Sequence, residues 1–231
     1  MGQPTGIAIV TGASRGLGAA TARALVERGW SLIVDGRDPV SLSRAVEEIG
    51  DNVTAIAGDV ADTDHRQRLL QTAAHLGGLD LLVNNASSLG PSPQPRLGDY
   101  PLEVLEHVYQ VNLMAPLALI QLALPMLRDA EGVIVNITSD AATGAYEGWG
   151  GYGSSKAALD QMSNILAAEE PGISVYRYDP GDMNTQMHQE AFPGEDVSDR
   201  RPPGDSVPAL MALVERRPPS GSYRFDQVLT R

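Results

Sequence analysis

Cysteine is absent from this sequence of 231 residues, and lysine occurs only once, at position 156. A chain without cysteine forms no disulfide, no thiolate metal site and no cysteine nucleophile, and it suits a reducing cytoplasm. Positive charge is also scarce, since 17 basic residues face 29 acidic ones for a formal net charge of −12. Nucleic acids and anionic membranes both select basic surfaces. We therefore predict a cytoplasmic protein that binds neither nucleic acid nor membrane.

Targeting and membrane-spanning segments are not predicted either. The N-terminus lacks the charged-then-apolar order of a signal peptide. The longest apolar stretch, 111–127, contains Asn112, Gln121 and two prolines. It reads as too short and too polar to cross a bilayer, so we expect a buried helix there.

Short apolar runs typical of strands alternate with segments of helical period along most of the chain. The predicted strands are 7–10, 31–35, 53–57, 79–84, 132–138 and 173–179, with a last strand near 223–225 after a helix at about 205–216. Strands that are apolar on both faces and alternate with amphipathic helices indicate an α/β fold, in which helices cover both faces of a parallel sheet. No repeat or low-complexity linker divides the sequence, so we predict a single domain over 1–231.

The segment TGASRGLG, at 11–18, joins the first predicted strand to the first predicted helix. Glycine permits a tight turn, close approach of the backbone to a ligand and close packing of the helix on the sheet. The N–H groups at the start of the helix would then face an anion. We interpret the segment as a nucleotide diphosphate site, although its GxxxGxG spacing differs from the GxGxxG of the standard dinucleotide turn. The cofactor contacts predicted here are Gly12, Ser14, Arg15, Gly16, Leu17 and Gly18.

The second predicted strand ends in VDGRD, at 34–38, and this segment bears on the choice of cofactor. A carboxylate at the discriminating position binds the ribose 2′-OH of NAD, whereas an NADP site needs a cation and no acid. If the strand ends at Asp35, Gly36 takes the place of the acid, and Arg37 can grip a 2′-phosphate, as can Arg15. A shift of one residue would bring in Asp35 and favour NAD(H). We favour NADP(H) over NAD(H).

Tyr152 and Lys156 are four residues apart at the start of a predicted helix, so that their side chains share one face. Ser139 follows the strand at 132–138, at the carboxyl edge of the sheet, where ligands of open α/β folds bind. A free tyrosine has a pKa of about 10, and a nearby cation lowers it by roughly 1–3 units. An ammonium can do this while it also holds a ribose hydroxyl, which gives a reason for the lone lysine.

Taken together, these motifs resemble the short-chain dehydrogenases/reductases. The resemblance extends from the first strand to about Thr185. It rests on TGASRGLG, GDV at 58–60, NNAS at 84–87, Asn112, Ser139, YGSSK at 152–156 and DPGDMNT at 179–185. The family implies a Rossmann-type doubly wound sheet of about seven strands in the order 3-2-1-4-5-6-7. It also implies hydride transfer between a nicotinamide and the carbonyl or secondary alcohol of a small-molecule substrate.

The resemblance also implies roles for individual residues. Tyr152 would act as the general acid or base, Ser139 would polarise the substrate oxygen, and Lys156 would hold the nicotinamide ribose and tune the tyrosine. Asn112, the fourth catalytic residue, would keep open a backbone carbonyl for a water that leads to Lys156. The implied cofactor contacts outside the glycine-rich turn are Asp59, Val60, Asn85, Ala86, Tyr152, Lys156, Pro180, Gly181, Met183 and Thr185.

Several positions depart from the family pattern. Ser87 replaces a usual glycine, Asp179 replaces a frequent asparagine, and Asp182 adds an acid beside the nicotinamide loop. The substrate lid, at about 186–204, is short and contains little that predicts helix. The C-terminal segment lacks the closing pattern usual in the family. The candidate substrate contacts are Leu89, Tyr146, Trp149 and Met187.

His65, His75 and His107 fall on helical segments without metal-ligand spacing, so we predict that they are solvated and that no metal site exists. The helix at about 103–127 and the Tyr152 helix pair across a two-fold axis in the family, which implies a homodimer or homotetramer. The predicted function is an NADP(H)-dependent carbonyl reductase or alcohol dehydrogenase. A ketoreductase of acyl-thioester or polyketide-like substrates is the second enzyme hypothesis, and a non-catalytic dinucleotide sensor is the alternative from another class.

Overall fold

The computed structural model describes residues 5–228, and within them it contains one seven-stranded sheet. The strands are β1 (Ile7–Val10), β2 (Ser31–Gly36), β3 (Val53–Ala57), β4 (Leu81–Asn84), β5 (Val133–Ile137), β6 (Ser174–Asp179) and β7 (Gly221–Arg224). All neighbouring strands are parallel, in the order β3-β2-β1-β4-β5-β6-β7. The predicted fold class and strand order are therefore confirmed.

Helices cover both faces of this sheet. They are α1 (Gly16–Glu27), α2 (Pro39–Ile49), α3 (Thr63–Leu76), α4 (Leu102–Tyr109), α5 (Ala115–Asp129), α6 (Gly150–Glu169), α7 (Gln186–Ala191), α8 (Val207–Arg216) and α9 (Phe225–Val228). The helix predicted at about 205–216 begins as a 3₁₀ turn at Pro203–Ser206. The lid segment also contains α7, which the sequence does not predict; Thr185 caps it by accepting the N–H of His188 at 3.2 Å.

Alternate residues of the central strands enter two different cores. In β1, Ala8 and Val10 face the layer that contains α1, α2 and α8, whereas Ile7 and Ile9 face the layer of α3, α5 and α6. Successive strand side chains point to opposite faces of a sheet. Because both faces are covered here, the central strands are largely apolar on both faces, as expected of a parallel sheet, and most of their polar residues lie near the carboxyl ends.

Two central strands end in buried amides that position α6. Asn84 and Asn136 are ladder partners at the carboxyl ends of β4 and β5, and Asn84 donates to Asn136 Oδ1 at 2.8 Å. Asn136 donates in turn to Ser163 Oγ on α6 at 2.8 Å. Buried polar groups need such partners. These bonds fix the helix that carries Tyr152 and Lys156 against the strand that precedes Ser139.

The longest helical segment, Leu102–Asp129, runs through α4, a π-helical turn at Gln110–Met114 and α5. By length and composition alone it could cross a membrane, so the expectation that it is too short and too polar is wrong. A core helix of a soluble protein passes the same test. Here Leu119, Ile120 and Leu127 pack in the core beneath the sheet, as expected of a buried helix.

Candidate active site

The glycine-rich turn lies between β1 and α1. Gly12 and Gly16 adopt left-handed backbone angles, with φ of +66° and +59°. A Cβ atom on Gly18 would lie 2.4 Å from the carbonyl oxygen of Gly12, so this position requires glycine. Arg15 is the N-cap residue of α1, and its side chain makes no capping hydrogen bond. The first N–H groups of the helix are therefore left for a ligand or solvent.

The loop after β4 is bonded to this turn. Asn85 donates from its side-chain amide to the carbonyl oxygens of Thr11 and Gly12, at 2.8 and 3.1 Å. The backbone N–H groups of Asn85 and Ala86 both donate to Thr11 Oγ1 at 3.0 Å. Asn85 and Ala86 therefore join two loops that line the same cleft.

The carboxyl end of β2 reaches this cleft at Gly36. Asp35 is buried; its Oδ1 accepts the N–H of Gly12 at 2.6 Å, and its Oδ2 lies 3.0 Å from Nε2 of His65. A Cβ atom on Gly36 would lie 3.0 Å from Cβ of Ser14, so a side chain there would crowd the turn. Arg37 is exposed at the rim and has no hydrogen-bond or ion-pair partner among residues 5–228.

One cavity of about 1060 Å³ extends from the glycine-rich turn to α7. Every residue predicted to bind cofactor or substrate, or to act in catalysis, lines it except Gly18 and Asn112. Gly18 packs under the turn, and Asn112 is fully buried behind the wall. The sequence motifs that are far apart along the chain therefore converge on a single space.

Ser139, Tyr152 and Lys156 meet on one wall of this cavity. Ser139 follows β5, and its hydroxyl donates to Asp140 Oδ1 at 3.1 Å. Tyr152 and Lys156 lie one turn apart on α6, with Lys156 Nζ 5.5 Å from the centroid of the Tyr152 ring. The buried ammonium donates to the carbonyl oxygen of Ile137 at 2.8 Å. An ammonium has three N–H donors, so two are left for a ligand or water.

Burial shifts the pKa values of both groups on α6. It raises the pKa of Tyr152, which the Asp179 carboxylate raises further, while hydrogen bonding to the hydroxyls of Ser87 and Ser139 acts in the opposite direction. Burial lowers the pKa of Lys156 to about 8. In the protein without cofactor the pKa of Tyr152 is thus raised above its usual value, and desolvation is the largest cause. The lowering of this pKa by Lys156 stays a prediction. The phenol is protonated at neutral pH.

Asn112 lies in the π-helical turn between α4 and α5. Such turns interrupt the regular helical hydrogen bonds and are frequent at functional sites. The side chain accepts the N–H of Ser88 at 2.7 Å and donates to Ser155 Oγ at 2.9 Å. Asn112 therefore ties the loop after β4 to α6, next to Lys156. The water relay implied for it stays a prediction.

The far end of the cavity is apolar. Trp149 packs edge-on against Tyr152 with ring centroids 5.8 Å apart, and it lies 5.7 Å from the centroid of Phe192. Leu89 and Met187 belong to the same cluster. This wall would suit an apolar or aromatic group better than a charged one.

Helix α7 lines the cavity and is hydrogen-bonded to two loops beside it. Arg15 donates to Gln186 Oε1 at 2.5 Å, which joins the glycine-rich turn to the first residue of α7. Ser92 Oγ donates to the carbonyl oxygen of Glu190 at 2.6 Å near the other end of the helix. Arg15, which we expected at a 2′-phosphate, is thus engaged by the lid. Arg37 remains available near Gly36, Asp59 and Val60. We call this part of the cleft the adenosine end, because the predicted adenine contacts lie there.

The model of the family described as short chain dehydrogenase matches residues 6–196. This chain belongs to the short-chain dehydrogenase family. Mouse sepiapterin reductase is 35% identical over 201 residues, which cover 80% of this chain and 77% of that protein. Serine 3-dehydrogenase from Agrobacterium fabrum is 33% identical, over 79% of this chain and 74% of that protein. A short-chain dehydrogenase from Shigella flexneri, complexed with NADP, superposes with a TM-score of 0.89 at 28% identity, covering 96% of this chain and 98% of that one.

Some polar residues of this short-chain dehydrogenase site were not predicted. Asp140 accepts hydrogen bonds from the hydroxyls of Ser139 and Tyr146, at 3.1 and 2.9 Å, and its position directly after Ser139 could have suggested this. Ser87, noted only as a departure, donates to Asn112 Oδ1 at 3.1 Å. The substitution of a usual glycine by serine thus adds a hydroxyl to the site.

The prediction that His65 is solvated is wrong. Its helix face packs against the end of β2, where the imidazole meets the buried Asp35 carboxylate. His75 and His107 are exposed, as predicted. Nothing in the local sequence of α3 distinguishes His65 from His75, since the difference arises from the strand that each residue faces.

Proposed function

We propose that the protein is an NADP(H)-dependent oxidoreductase that interconverts a carbonyl and a secondary alcohol, with Tyr152 as the general acid or base. The convergence of Ser139, Tyr152 and Lys156 on one wall of the cavity carries this proposal. The opposite end of the same cavity is the glycine-rich turn, which suits a dinucleotide.

The residues of the cleft fit NADP(H) in preference to NAD(H). The N–H groups at the start of α1 would meet the phosphates, Asp59 and Val60 would meet the adenine, and Arg37 would grip the 2′-phosphate. Gly36 leaves space there, and the Asp35 oxygens already have donors. The NADP complex of the related Shigella flexneri protein supports the same choice.

At the nicotinamide end, Lys156 would hold the ribose with its remaining donors. Backbone and side-chain groups of Pro180, Gly181, Met183 and Thr185, which line the cavity, would hold the ring. When bound, the nicotinamide cofactor would supply the hydride chemistry of the reaction.

Tyr152 and Ser139 would act on the substrate oxygen. Ser139 would donate a hydrogen bond that polarises the carbonyl, and Tyr152 would donate its proton to the developing alkoxide. An alkoxide is a stronger base than a phenolate, so a phenol of raised pKa remains a competent donor. Because its pKa is raised, the phenol holds at neutral pH the proton that carbonyl reduction consumes.

The substrate class follows from the apolar wall. Trp149, Phe192, Leu89 and Met187 favour a carbonyl compound with an apolar or aromatic substituent. The names of two relatives, sepiapterin reductase and serine 3-dehydrogenase, point to different substrates, so neither is transferred to this chain.

The test is NADPH oxidation with a panel of aryl ketones, aliphatic ketones and acyl thioesters. We expect turnover that is fastest on aryl ketones, and a loss of roughly a thousandfold in kcat for Tyr152→Phe with NADPH affinity retained. Phenylalanine keeps the ring that packs on Trp149, so folding is preserved. Binding of NADPH without turnover on any compound would favour the dinucleotide sensor, and turnover confined to thioesters would favour the ketoreductase.

We also propose that the protein is a cytoplasmic homodimer or homotetramer. Met114, Leu122 and Ile165 leave exposed apolar side chains on the helical segment 102–129 and on α6, the two helices expected to pair. Burial of such a patch against a second copy is favourable. A mass in solution equal to that of one 24.5 kDa chain would contradict this proposal.

A further inference from the structure

A buried carboxylate–imidazole pair lies under the adenosine end of the cleft and takes no part in the proposed proton transfer. Asp35 is 1% exposed and His65 is 0% exposed. The guanidinium of Arg68 lies 3.3 Å from His65 Nδ1. A guanidinium can only donate, so Nδ1 is the acceptor and Nε2 carries the hydrogen that is donated to Asp35 Oδ2 at 3.0 Å.

Gly58 makes room for this imidazole. A Cβ atom on Gly58 would lie 2.2 Å from His65 Nδ1, a distance that no side chain tolerates. Gly58 directly precedes Asp59 and Val60, which line the adenosine end of the cavity. The imidazole therefore packs between the end of β2 and the segment 58–60, which is expected to contact adenine.

Asp35 lines the cavity beside Gly36 and Arg37, yet both of its oxygens face away to protein donors. A carboxylate that is free at this strand end accepts hydrogen bonds from the ribose hydroxyls of NAD and repels a 2′-phosphate. Burial raises the pKa of Asp35, and the hydrogen bonds from His65 and Gly12 act against that shift. Both donors thus hold the carboxylate in its present position.

We propose that His65 is a positioning residue that sets cofactor selectivity: it holds the Asp35 carboxylate away from the adenosine ribose, so that the site accepts a 2′-phosphate beside Arg37. Without the imidazole, Asp35 Oδ2 loses its donor while Oδ1 keeps the Gly12 N–H. The carboxylate then turns toward the cleft, where ribose hydroxyls would satisfy it and a 2′-phosphate would be repelled. This inference rests on the proposed NADP(H) cofactor.

The test compares two cofactor fragments, 2′,5′-ADP and 5′-ADP, by calorimetric titration of the purified full-length protein. His65→Asn shortens the side chain by enough to break the bond to Asp35, whereas His65→Gln retains an amide N–H that can reach it. For His65→Asn we expect the affinity for 2′,5′-ADP to fall about tenfold and that for 5′-ADP to stay within about twofold. His65→Gln should retain the preference of the unmodified protein.

Two further variants identify the cause. Asp35→Asn combined with His65→Asn removes the charge and should recover 2′,5′-ADP affinity to within about threefold of the unmodified protein. His75→Asn makes the same substitution at an exposed position of α3 and should change neither affinity. If His65→Asn does not fold, Gly58→Ala displaces the imidazole and takes its place in the comparison.

A purely structural role for His65 would weaken both fragments equally, and that result overturns the proposal. Unchanged affinities in His65→Asn, or no recovery in the double variant, overturn it as well. An unmodified protein that does not prefer 2′,5′-ADP would contradict the NADP(H) assignment itself. That failure is visible before any variant is made, so the two ideas fail in distinguishable ways.

Discussion

The two ends of the cleft each hold a pair of buried ionisable side chains, and the pairs are built differently. At the adenosine end, Asp35 and His65 bond each other directly at 3.0 Å. At the nicotinamide end, Lys156 donates to the carbonyl oxygen of Ile137 at 2.8 Å and lies 5.5 Å from the centroid of the Tyr152 ring. The remaining polar atoms of the first pair meet the Gly12 N–H and the Arg68 guanidinium, so each has a protein partner. In the second pair, Lys156 lines the open cavity and keeps two N–H donors for a ligand or water.

We infer from this difference that the adenosine-end pair positions groups for binding, whereas the nicotinamide-end pair takes part in the reaction. Hydrogen bonds inside the adenosine-end pair stabilise the charge on Asp35 against burial. In the nicotinamide-end pair, burial opposes charge on both members, because it raises the pKa of Tyr152 and lowers that of Lys156 to about 8. Perturbed pKa values cluster at functional sites, where stability is given up for reactivity. The nicotinamide end should therefore respond most strongly to substitution, in activity first and then in stability.

Among the substitutions that test this contrast between the two ends of the cleft, Lys156→Met should cause the largest loss of activity. The variant removes the donors for the ribose and the cation beside the phenol, so we expect kcat for ketone reduction to fall roughly 10²–10⁴-fold. Lys156→Arg is the matched control for charge, and we expect no rescue, since a planar guanidinium cannot occupy the space of the ammonium. Full activity in Lys156→Met, measured by NADPH oxidation, would refute the role of this residue.

The same variant should be more stable than the unmodified protein at neutral pH. A folded-state pKa of about 8 against 10.5 for the free side chain means that the buried ammonium costs about 3 kcal/mol of the free energy of unfolding below pH 8. The cost disappears as the pH rises from 8 to 10.5, because the folded protein then holds a neutral amine while the unfolded chain is still protonated. In denaturant titrations at pH 7, the free energy of unfolding of Lys156→Met should exceed that of the unmodified protein by about 1–3 kcal/mol. The difference should become progressively smaller as the pH rises from 8 to 10.5. A difference in the free energy of unfolding that does not change with pH would show that the variant is more stable because of packing and not because of charge.

The fold could be predicted from the sequence because the buried residues of the central strands are mostly apolar and form continuous runs. In β1, β4 and β5 every residue is buried, so apolar runs marked these strands to within a residue or two. The glycines were equally informative, since the φ of +66° at Gly12 and the close approach at Gly18 each require that residue type. Helix α7 was missed because its QMHQEA sequence carries no apolar periodicity, and its first turn depends on the Thr185 cap.

The sequence predicted which residues form the candidate site, but it did not predict the direction of their pKa shifts. The spacing of Tyr152 and Lys156 predicted that they share a helix face, yet it could not show how deeply that face is buried, and burial determines the direction of both pKa shifts. The pairing of Asp35 with His65 joins residues thirty positions apart, so no local pattern contains it. Tertiary contacts of this kind cannot be inferred from the local pattern of a single sequence.

The smallest of these effects is expected at the rim of the adenosine end, where Arg37 is exposed and has no partner in the described part of the chain. Arg37→Ala removes the proposed grip on the 2′-phosphate and should raise the KM for NADPH about tenfold, with kcat unchanged and the KM for NADH within twofold. Arg44→Ala, an exposed arginine on α2 that does not line the cavity, is the control for net charge and should leave all three constants unchanged. An equal rise in both KM values would mean that Arg37 contacts the adenine or the phosphates common to both cofactors. A change in kcat would mean that the rim of the cleft is coupled to the chemistry at the nicotinamide end, contrary to the separation argued above.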